Sequence, residues 1–222
     1  MATSDGADKA LAERLQREEY FANETFEGVD LQGLELRDKE FYRCTFESCQ
    51  LQESRWQRTV FEACVVRGSN VTRARFLSTG LREVRFEGSK LMGIDWSDLS
   101  SNPELSFQEC GLSYCSFVGL SLRKTPFLKC VARESNFYDL DLTDADFTGS
   151  DLGGSNFRGC MLLRADFSDT TGVFLDPSVN KLKDTRVPIE TAVGLARNLG
   201  MLVAGFHDEA PKRAGRKSRP SP

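Results

Sequence analysis

The sequence predicts an all-β solenoid, and two regularities along the chain support that prediction. An apolar residue recurs at every fifth position from Phe21 to Trp96 and, after one inserted residue, from Phe107 to Phe167. The residue two positions before each apolar centre is Ala, Ser, Thr, Cys or Val in 21 of 29 repeats. A period of five fits neither an α-helix nor a flat β-strand. Each repeat therefore points one large and one small side chain inward and exposes the other three.

All 29 centres are apolar, although only 40% of the residues in the whole chain are hydrophobic. At that background, an unbroken series of this length has a chance on the order of 10⁻¹². The centres are Phe21, Phe26, Leu31, Leu36, Phe41, Phe46, Leu51, Trp56, Phe61, Val66, Val71, Phe76, Leu81, Phe86, Leu91, Trp96, Phe107, Leu112, Phe117, Leu122, Phe127, Ala132, Phe137, Leu142, Phe147, Leu152, Phe157, Leu162 and Phe167. Such internal repetition indicates units that share one continuous core.

Four pentapeptides fit the pattern A(D/N)LXX most clearly: ADFTG at 145–149, SDLGG at 150–154, SNFRG at 155–159 and ADFSD at 165–169. On these motifs, residues 21–169 resemble the pentapeptide-repeat family. The resemblance implies a right-handed quadrilateral β-helix with four pentapeptides per coil. The repeats then make about seven coils, and at a strand spacing of ~4.8 Å the stack is roughly 35 Å long.

A coil of that size stacks every twentieth residue, and the residue types agree with the stacking. The predicted columns are Phe26, Phe46, Val66, Phe86, Phe107, Phe127, Phe147 and Phe167, and beside it Leu31, Leu51, Val71, Leu91, Leu112, Ala132 and Leu152. Like residues stacked on like residues fill a narrow interior without voids.

The cysteines all fall two residues before a centre, in the small inward position. They are Cys44, Cys49, Cys64, Cys110, Cys115, Cys130 and Cys160. Because the core register sets these positions, the spacing predicts buried reduced thiols acting as small hydrophobic residues, and it argues against a metal cluster. Cys44 and Cys64, like Cys110 and Cys130, are 20 residues apart and should be vertical neighbours. A disulfide within either pair is geometrically allowed but disfavoured in a reducing cytoplasm.

The residue inventory argues against an enzyme. The chain has one histidine, His207, which nearly excludes Ser/His/Asp, Cys/His and His-rich zinc sites. No glycine-rich phosphate loop opens a helix, and the aspartates before Phe and Leu centres are consensus residues of the repeat. The sequence therefore predicts no catalytic residue, no cofactor and no metal. With no apolar run near the ~18–20 residues of a membrane helix and no signal peptide, we expect a cytoplasmic protein without membrane contact.

The repeat divides the chain into four segments. They are an N-terminal segment at 1–19 with a short helix around Leu11–Leu15, the β-helix at 20–170, a C-terminal cap and dimerisation element at 171–206, and a disordered basic tail at 207–222. The tail is predicted to aid solubility rather than to contact nucleic acid.

The register of the β-helix breaks at 97–106. Asn102-Pro103 predicts a turn there, and proline removes a donor from the hydrogen-bond ladder. The break is either a bulge or a small protruding loop that contacts a partner. Further along, Pro126 predicts the local loss of one hydrogen bond.

The C-terminal segment predicts a helix over Pro188–Leu199, with proline in its first turn and Gly200 as its stop. An apolar group at its end either folds onto the cap or buries against a second subunit. Its members are Leu195, Leu199, Met201, Leu202 and Val203. The chain resembles members of the quinolone-resistance (Qnr) type, which dimerise through C-terminal elements, and this favours a homodimer with these residues at the interface.

Charge is unevenly distributed along the repeat. The segment from Glu134 to Asp151 contains six acids and no base: Glu134, Asp139, Asp141, Asp144, Asp146 and Asp151. The segment from Ser54 to Leu91 contains eight bases against three acids. A rod with such a bipolar field steers charged partners, and the acidic segment is the predicted partner-binding surface.

Resemblance to Qnr-type proteins implies a dimeric rod that imitates a DNA duplex, binds DNA gyrase or topoisomerase IV, and protects it from topoisomerase poisons. No direct contact with nucleic acid is expected. The alternative is a structural or scaffolding repeat protein with a different, unidentified protein partner.

Overall fold

The short period of the repeat produces many short strands joined by tight corners. The structure, a computed structural model that describes residues 4–100 and 102–206, is a parallel β-solenoid of about seven turns with two short helices. Helix α1 spans Ser4–Arg17 and helix α2 spans Ile189–Asn198. The strands are β1 Tyr20–Ala22, β2 Thr25–Glu27, β3 Glu35–Arg37, β4 Glu40–Tyr42, β5 Thr45–Glu47, β6 Arg55–Gln57, β7 Val60–Glu62, β8 Val65–Arg67, β9 Arg75–Leu77, β10 Gly80–Arg82, β11 Val84–Glu87, β12 Leu105–Gln108, β13 Ser116–Val118, β14 Phe127–Leu128, β15 Asn136–Tyr138 and β16 Asn156–Arg158.

Parallel pairing sorts the strands onto four faces. Face 1 contains β1, β4, β7 and β10, and face 2 contains β2, β5, β8, β11, β12 and β14. Face 3 is held by single bridges, such as Asp30 to Gln50, and face 4 contains β3, β6 and β9 and then β13, β15 and β16. Each coil crosses every face once, so residues 20 apart, or 21 across the insertion, are vertical neighbours.

The predicted columns are confirmed. Phe46 pairs with Phe26 below and Val66 above, and Phe107 pairs with Phe86 and Phe127. None of the 29 predicted centres is more than 6% exposed. Within a column the rings lie parallel, whereas rings on different faces meet edge to face. The Phe127 and Phe147 centroids are 4.6 Å apart and the two ring planes are nearly parallel. Both arrangements are favourable for aromatic pairs, so one aromatic column supports the next.

The corners of the repeats share one backbone conformation. The residue two positions after a centre adopts a positive φ at every centre except Trp96, and at 19 of these positions it is not glycine, with φ between 49° and 62°. This left-handed region is costly for ordinary side chains. The corner N–H groups compensate by donating across coils, as Asn23 does to the Tyr42 carbonyl at 2.9 Å. Gly172 is required for space as well, because a Cβ there would lie 2.6 Å from the Cα of Gly153.

One coil is underfilled. Val66 and Val71 replace the larger Phe and Leu of their columns, and a cavity of about 20 Å³ lies beside them, between Phe46, Trp56 and Phe86. Its apolar lining gives water no hydrogen-bond partner. Ring stacking along face 2 is interrupted at this coil and resumes at Phe86.

Helix α1 covers the N-terminal end of the solenoid. Leu15 is fully buried against it, and Arg14 forms a bidentate pair with Glu24 at 2.7 and 2.8 Å while lying over the Phe21 ring. Lys39 occupies a small inward position but extends to donate to the carbonyls of Gln16 at 3.0 Å and Glu18 at 2.6 Å. Its charge thus lies at the negative end of the helix dipole.

The register break lies at the corner between faces 1 and 2. Leu99, Pro103 and Leu105 are all buried there, so the segment folds against the solenoid. In the next coil, Pro126 has no N–H to donate to the Leu105 carbonyl, whereas Asp146 above it donates to Thr125 at 3.1 Å. No backbone hydrogen bond joins the described parts of 99–105 to 120–125. We call this interruption the backbone seam.

Helix α2 packs on the C-terminal end through Thr191 and Val193, and the Thr191 hydroxyl donates to the Val173 carbonyl at 3.2 Å. Ile189 and Leu199, at the two ends of the helix, are 60% and 68% exposed. Neither described helix has the length and hydropathy needed to cross a membrane.

Candidate protein-interaction surfaces

The six acids predicted as a partner-binding surface do not share a face. Their segment is nearly one full coil, so they encircle the solenoid as what we call the acidic belt. Asp141 lies on face 1, Asp146 on face 2 and Asp151 on face 3, as their bridges show. Glu134, Asp139 and Asp144 occupy corners with positive φ. At most two or three of the six can therefore contact a flat partner at once.

Arginines of adjacent coils neutralise half of the belt. Asp141 pairs with Arg123 at 3.1 Å and Asp151 with Arg133 at 3.4 Å. Asp144 accepts two hydrogen bonds from Arg164, at 2.6 and 2.8 Å. These hydrogen bonds hold the pKa of Asp144 below its ordinary value. Burial works against the charge of Asp141, but hydrogen bonds from Thr143 and Arg123 still lower its pKa.

Three carboxylates of the belt have no basic partner among the described residues: Glu134, Asp139 and Asp146. Glu134 accepts only a long hydrogen bond from the Tyr114 hydroxyl at 3.5 Å, and Asp146 accepts from the Thr148 backbone N–H at 2.9 Å. Asp139 lies against Gly159 of the next coil, and because glycine has no side chain, Gly159 leaves the Asp139 carboxylate uncovered. These three are the belt carboxylates most available to a cationic partner.

The basic segment is also partly neutralised across coils. Arg58 pairs with Asp38 at 2.7 Å, and Arg67 pairs with Glu87 at 2.9 Å. Arg55 and Arg75 are register neighbours on face 4, and neither forms an ion pair with a described residue. Counting charges along a segment of the sequence overestimates the bipolar field of the rod. Acids and bases 20 residues apart lie side by side on adjacent coils and partly cancel. The spacing of Asp38 to Arg58 and of Asp144 to Arg164 is the sequence signal that reveals this.

A second acidic surface is not apparent from charge counts along the chain. Glu27 and Glu47 are register neighbours on face 2, and Glu40 and Glu62 lie on the adjoining face 1. None of these four has an ion pair among the described residues. We call them the N-terminal acidic patch. Sequence reasoning missed it because bases such as Arg37 and Arg43 alternate with these glutamates along the chain.

The C-terminal end exposes apolar side chains. Leu199, Met201 and Leu202 are 68%, 56% and 100% exposed, while Leu195 and Val203 are half-buried. We call these five residues the C-terminal apolar patch. Beside it, an open groove of about 390 Å³ separates α2 from the last coil and contains Phe174, Thr191 and Gly194. No described residue covers this apolar surface.

The structure places the seven cysteines in the core with free thiols, all buried. Each thiol fills a small inward position, and several donate to the carbonyl 23 residues earlier, as Cys64 does to Phe41 at 3.3 Å. Among the described residues, no three His, Cys, Asp or Glu side chains are grouped closely enough to hold a metal ion. His207 and the basic tail lie outside the described residues.

Two family models match the chain. The model described as "Pentapeptide repeat region" matches residues 39–103. The model described as "Pentapeptide repeats (8 copies)" matches residues 110–149 and 141–171. Together the matches cover more than half of the 222 residues.

One curated relative is Protein McbG of Escherichia coli. It is 30% identical over 115 residues, which are 52% of this chain and 62% of McbG. The chain thus spans about three-fifths of the length of the curated relative that it matches.

Solved structures of similar shape include two trypsin-treated variants of QnrB1, a plasmid-mediated fluoroquinolone resistance protein. They align with TM-scores of 0.53 and 0.52 at 20% and 17% identity. The alignments cover 86% and 84% of this chain, and 92% and 97% of the QnrB1 chains. At these identities the likeness establishes a shared fold.

Proposed function

Because the chain belongs to the pentapeptide-repeat family, we propose that it is a non-catalytic dimeric rod that binds DNA gyrase or topoisomerase IV and protects the enzyme from topoisomerase poisons. The observation that carries the proposal is the fold shared with QnrB1 over almost the whole solenoid. QnrB1 is a fluoroquinolone resistance protein, and fluoroquinolones poison these two enzymes. We infer direct binding to the enzyme, because a non-catalytic rod does not modify the poison.

Electrostatics supports such binding. A DNA-binding saddle is basic because it neutralises closely spaced phosphates. Carboxylates on the rod compete for that saddle only where no arginine already neutralises them. We therefore assign the contact to the unpaired acids of the belt, Glu134, Asp139 and Asp146, and to the N-terminal acidic patch. Asp141, Asp144 and Asp151 contribute less, because each is already paired.

The C-terminal apolar patch supports a dimer. Large exposed apolar surface is unusual on a monomer and marks an interface. A second copy joined there by a two-fold axis covers the same residues on both chains. The dimer is twice as long as one chain, and the two solenoids together offer a partner one continuous surface.

The alternative, a scaffold for another protein, is favoured by one specific observation. Arg55 and Arg75 are register neighbours on face 4 and form no ion pair with a described residue, which gives the rod a basic pair that a DNA mimic does not need. A partner that binds both these arginines and the N-terminal acidic patch must carry acidic and basic groups on its own surface, unlike a uniformly basic DNA-binding saddle.

The decisive experiment is a supercoiling and cleavage assay with gyrase and topoisomerase IV, with and without ciprofloxacin. We expect protection from ciprofloxacin-induced cleavage at low protein and inhibition of supercoiling at high protein. The triple variant Glu134→Gln, Asp139→Asn and Asp146→Asn should lose most of the protection. The matched control changes three acids outside these surfaces by the same charge: Asp30→Asn, Asp176→Asn and Asp184→Asn.

The two candidate functions predict different outcomes. Absence of binding, inhibition and protection for both enzymes at low salt would refute the topoisomerase proposal and leave the scaffold. If the triple variant and its control lose protection equally, the topoisomerase is still the partner, but Glu134, Asp139 and Asp146 are not its specific contacts.

A further inference from the structure

Two pairs of buried thiols stand directly above one another in the core. Cys64 lies one coil above Cys44, where the Val65 N–H donates to the Cys44 carbonyl at 3.0 Å. Cys130 lies in the same relation to Cys110, with the Val131 N–H donating to the Cys110 carbonyl at 2.9 Å. All four thiols are 0–1% exposed.

The other three cysteines have polar neighbours instead. The side chains of Ser69, Ser135 and Asn180 lie one coil above Cys49, Cys115 and Cys160 and accept from their backbone N–H groups at 3.0–3.1 Å. The chain thus contains two stacked dithiols and three isolated thiols in the same core environment.

The stacked pairs satisfy the first geometric condition for a disulfide. Neighbouring parallel strands lie ~4.8 Å apart, which is within the range of about 4.4–6.8 Å between the Cα atoms of bonded cysteines. Both side chains of a pair occupy the small inward position of the repeat on adjacent coils, so they point the same way into the core.

We propose that Cys44–Cys64 and Cys110–Cys130 are oxidation sites that form inter-coil disulfides when the protein meets a hydroperoxide. The deprotonated sulfur of one cysteine attacks an oxygen of hydrogen peroxide, the O–O bond breaks, and a sulfenic acid and hydroxide form. The sulfur of the second cysteine then displaces hydroxide from the sulfenic sulfur. Both hydroxides take up the protons of the two thiols, so two thiols and one peroxide give one disulfide and two waters.

The environment of each pair suits this chemistry. The adjacent Cys64 thiol lowers the pKa of Cys44 although burial opposes the shift, and Cys130 lowers the pKa of Cys110 in the same way. Burial raises the pKa of the isolated thiols, that of Cys115 to about 11. The thiolate is the reactive form, so Cys44 and Cys110 should react with peroxide ahead of the isolated thiols, whereas the pKa values of Cys64 and Cys130 are raised.

Access requires opening of a coil, because the thiols are buried. Oxidation should therefore be slow in buffer and faster in urea below the unfolding transition. Once formed, each disulfide closes a loop of one coil, which restricts the unfolded chain. The oxidised protein should melt about 5–10 °C higher than the reduced protein.

The test uses the full-length reduced protein and hydrogen peroxide, in buffer and in mild urea. Remaining thiols are alkylated after unfolding, and peptides are mapped by mass spectrometry. We expect cross-linked peptides for Cys44–Cys64 and Cys110–Cys130, a mass loss of ~2 Da per pair, the higher melting temperature, and reversal of all three by dithiothreitol.

Variants keep the test specific. Cys44→Ser should abolish the first cross-link and leave the second, whereas Cys49→Ser should abolish neither. Serine is tolerated at this position of the repeat, as Ser54 and Ser69 show, and circular dichroism checks the fold. The proposal is overturned if every thiol remains alkylatable in both conditions. It is equally overturned if sulfinic acids form without cross-links, or if Cys49, Cys115 or Cys160 cross-links as readily as the pairs.

Discussion

Val66 shows how one side chain affects the packing of a whole coil. Its column otherwise consists of phenylalanines, and the smaller side chain leaves the cavity of about 20 Å³ beside Trp56 and Phe86. Buried cavities cost stability because their lining atoms lose contacts. The ring stack of face 2 is therefore weakest at this coil.

Val66→Ile should stabilise the protein by about 0.5–1 kcal/mol, since one added methyl group fits the cavity. The matched control is Val29→Ile, at a buried position that does not line this cavity, where overpacking should be neutral or destabilising. Urea unfolding followed by tryptophan fluorescence measures both. Equal shifts in the same direction would contradict the assignment of the cavity to Val66.

Residue roles were predictable where the repeat alone determines them. The centres and the seven cysteines follow from the five-residue period, and all are buried. Lys39 was not predictable, because its position in the repeat is inward while its ammonium reaches the carbonyls of α1. The left-handed corners were also missed, since four arginines and four glutamates adopt the positive φ that usually indicates glycine.

At the scale of elements, the ladder is continuous on most of the solenoid but interrupted at the backbone seam. Two prolines on adjacent coils, Pro103 and Pro126, each remove a donor there. An open groove of about 410 Å³ lies along the seam and contains Arg85, Arg123 and Lys124. The strands on either side are held by stacking of Phe107 on Phe127 at 5.0 Å.

Hydrogen exchange should therefore be faster at the Ser121 amide, which has no described backbone acceptor, than at amides of the same column that have one. The Asp141 amide, one coil above, donates to Leu120 at 3.1 Å and is the internal control. Pro126→Thr supplies a donor toward the Leu105 carbonyl, so it should slow exchange around the seam and stabilise the fold by about 1 kcal/mol. Equal exchange rates at the Ser121 and Asp141 amides would show that the backbone hydrogen bonds are not interrupted at the seam.

The ion pairs between coils predict a pH dependence of stability. Hydrogen bonds from Arg58 and Arg164 hold the pKa values of Asp38 and Asp144 below their ordinary value. A lowered folded-state pKa contributes stability above the unfolded pKa, about 3.9, that is lost as pH falls through the folded value. The melting temperature should thus decline below about pH 4. The double variant Asp38→Asn and Asp144→Asn should show a shallower decline, and an identical one would show that these pairs contribute nothing.

The acidic belt shows that the spatial distribution of charge could not be predicted from the order of residues along the chain. Its six acids are adjacent in sequence, yet a coil distributes them around the rod, and their arginine partners lie up to 20 residues away. The N-terminal acidic patch is the converse case, in which separated residues become neighbours through the register of β2 with β5. Charge in a solenoid must therefore be counted by column.

At the scale of the whole molecule, assembly depends on the C-terminal apolar patch. If a second copy covers Leu199 and Leu202, the full-length protein sediments as a dimer at micromolar concentration. Leu199→Glu with Leu202→Glu should give a folded monomer, because both side chains are exposed in the single chain. Val179→Glu, at an exposed apolar position outside the patch, is the control and should leave the dimer intact. A wild-type monomer would contradict the proposed assembly.

Competition with DNA tests the central claim most directly. Labelled full-length protein is bound to gyrase, and a linear duplex is titrated at salt concentrations from about 50 to 300 mM. Our account predicts that the duplex displaces the protein and that affinity falls as salt rises, since exposed charges are screened over ~10 Å at 0.1 M. The triple neutral variant of Glu134, Asp139 and Asp146 should show the weaker salt dependence. Binding that is insensitive to both duplex and salt, or no binding at low salt, would contradict the account.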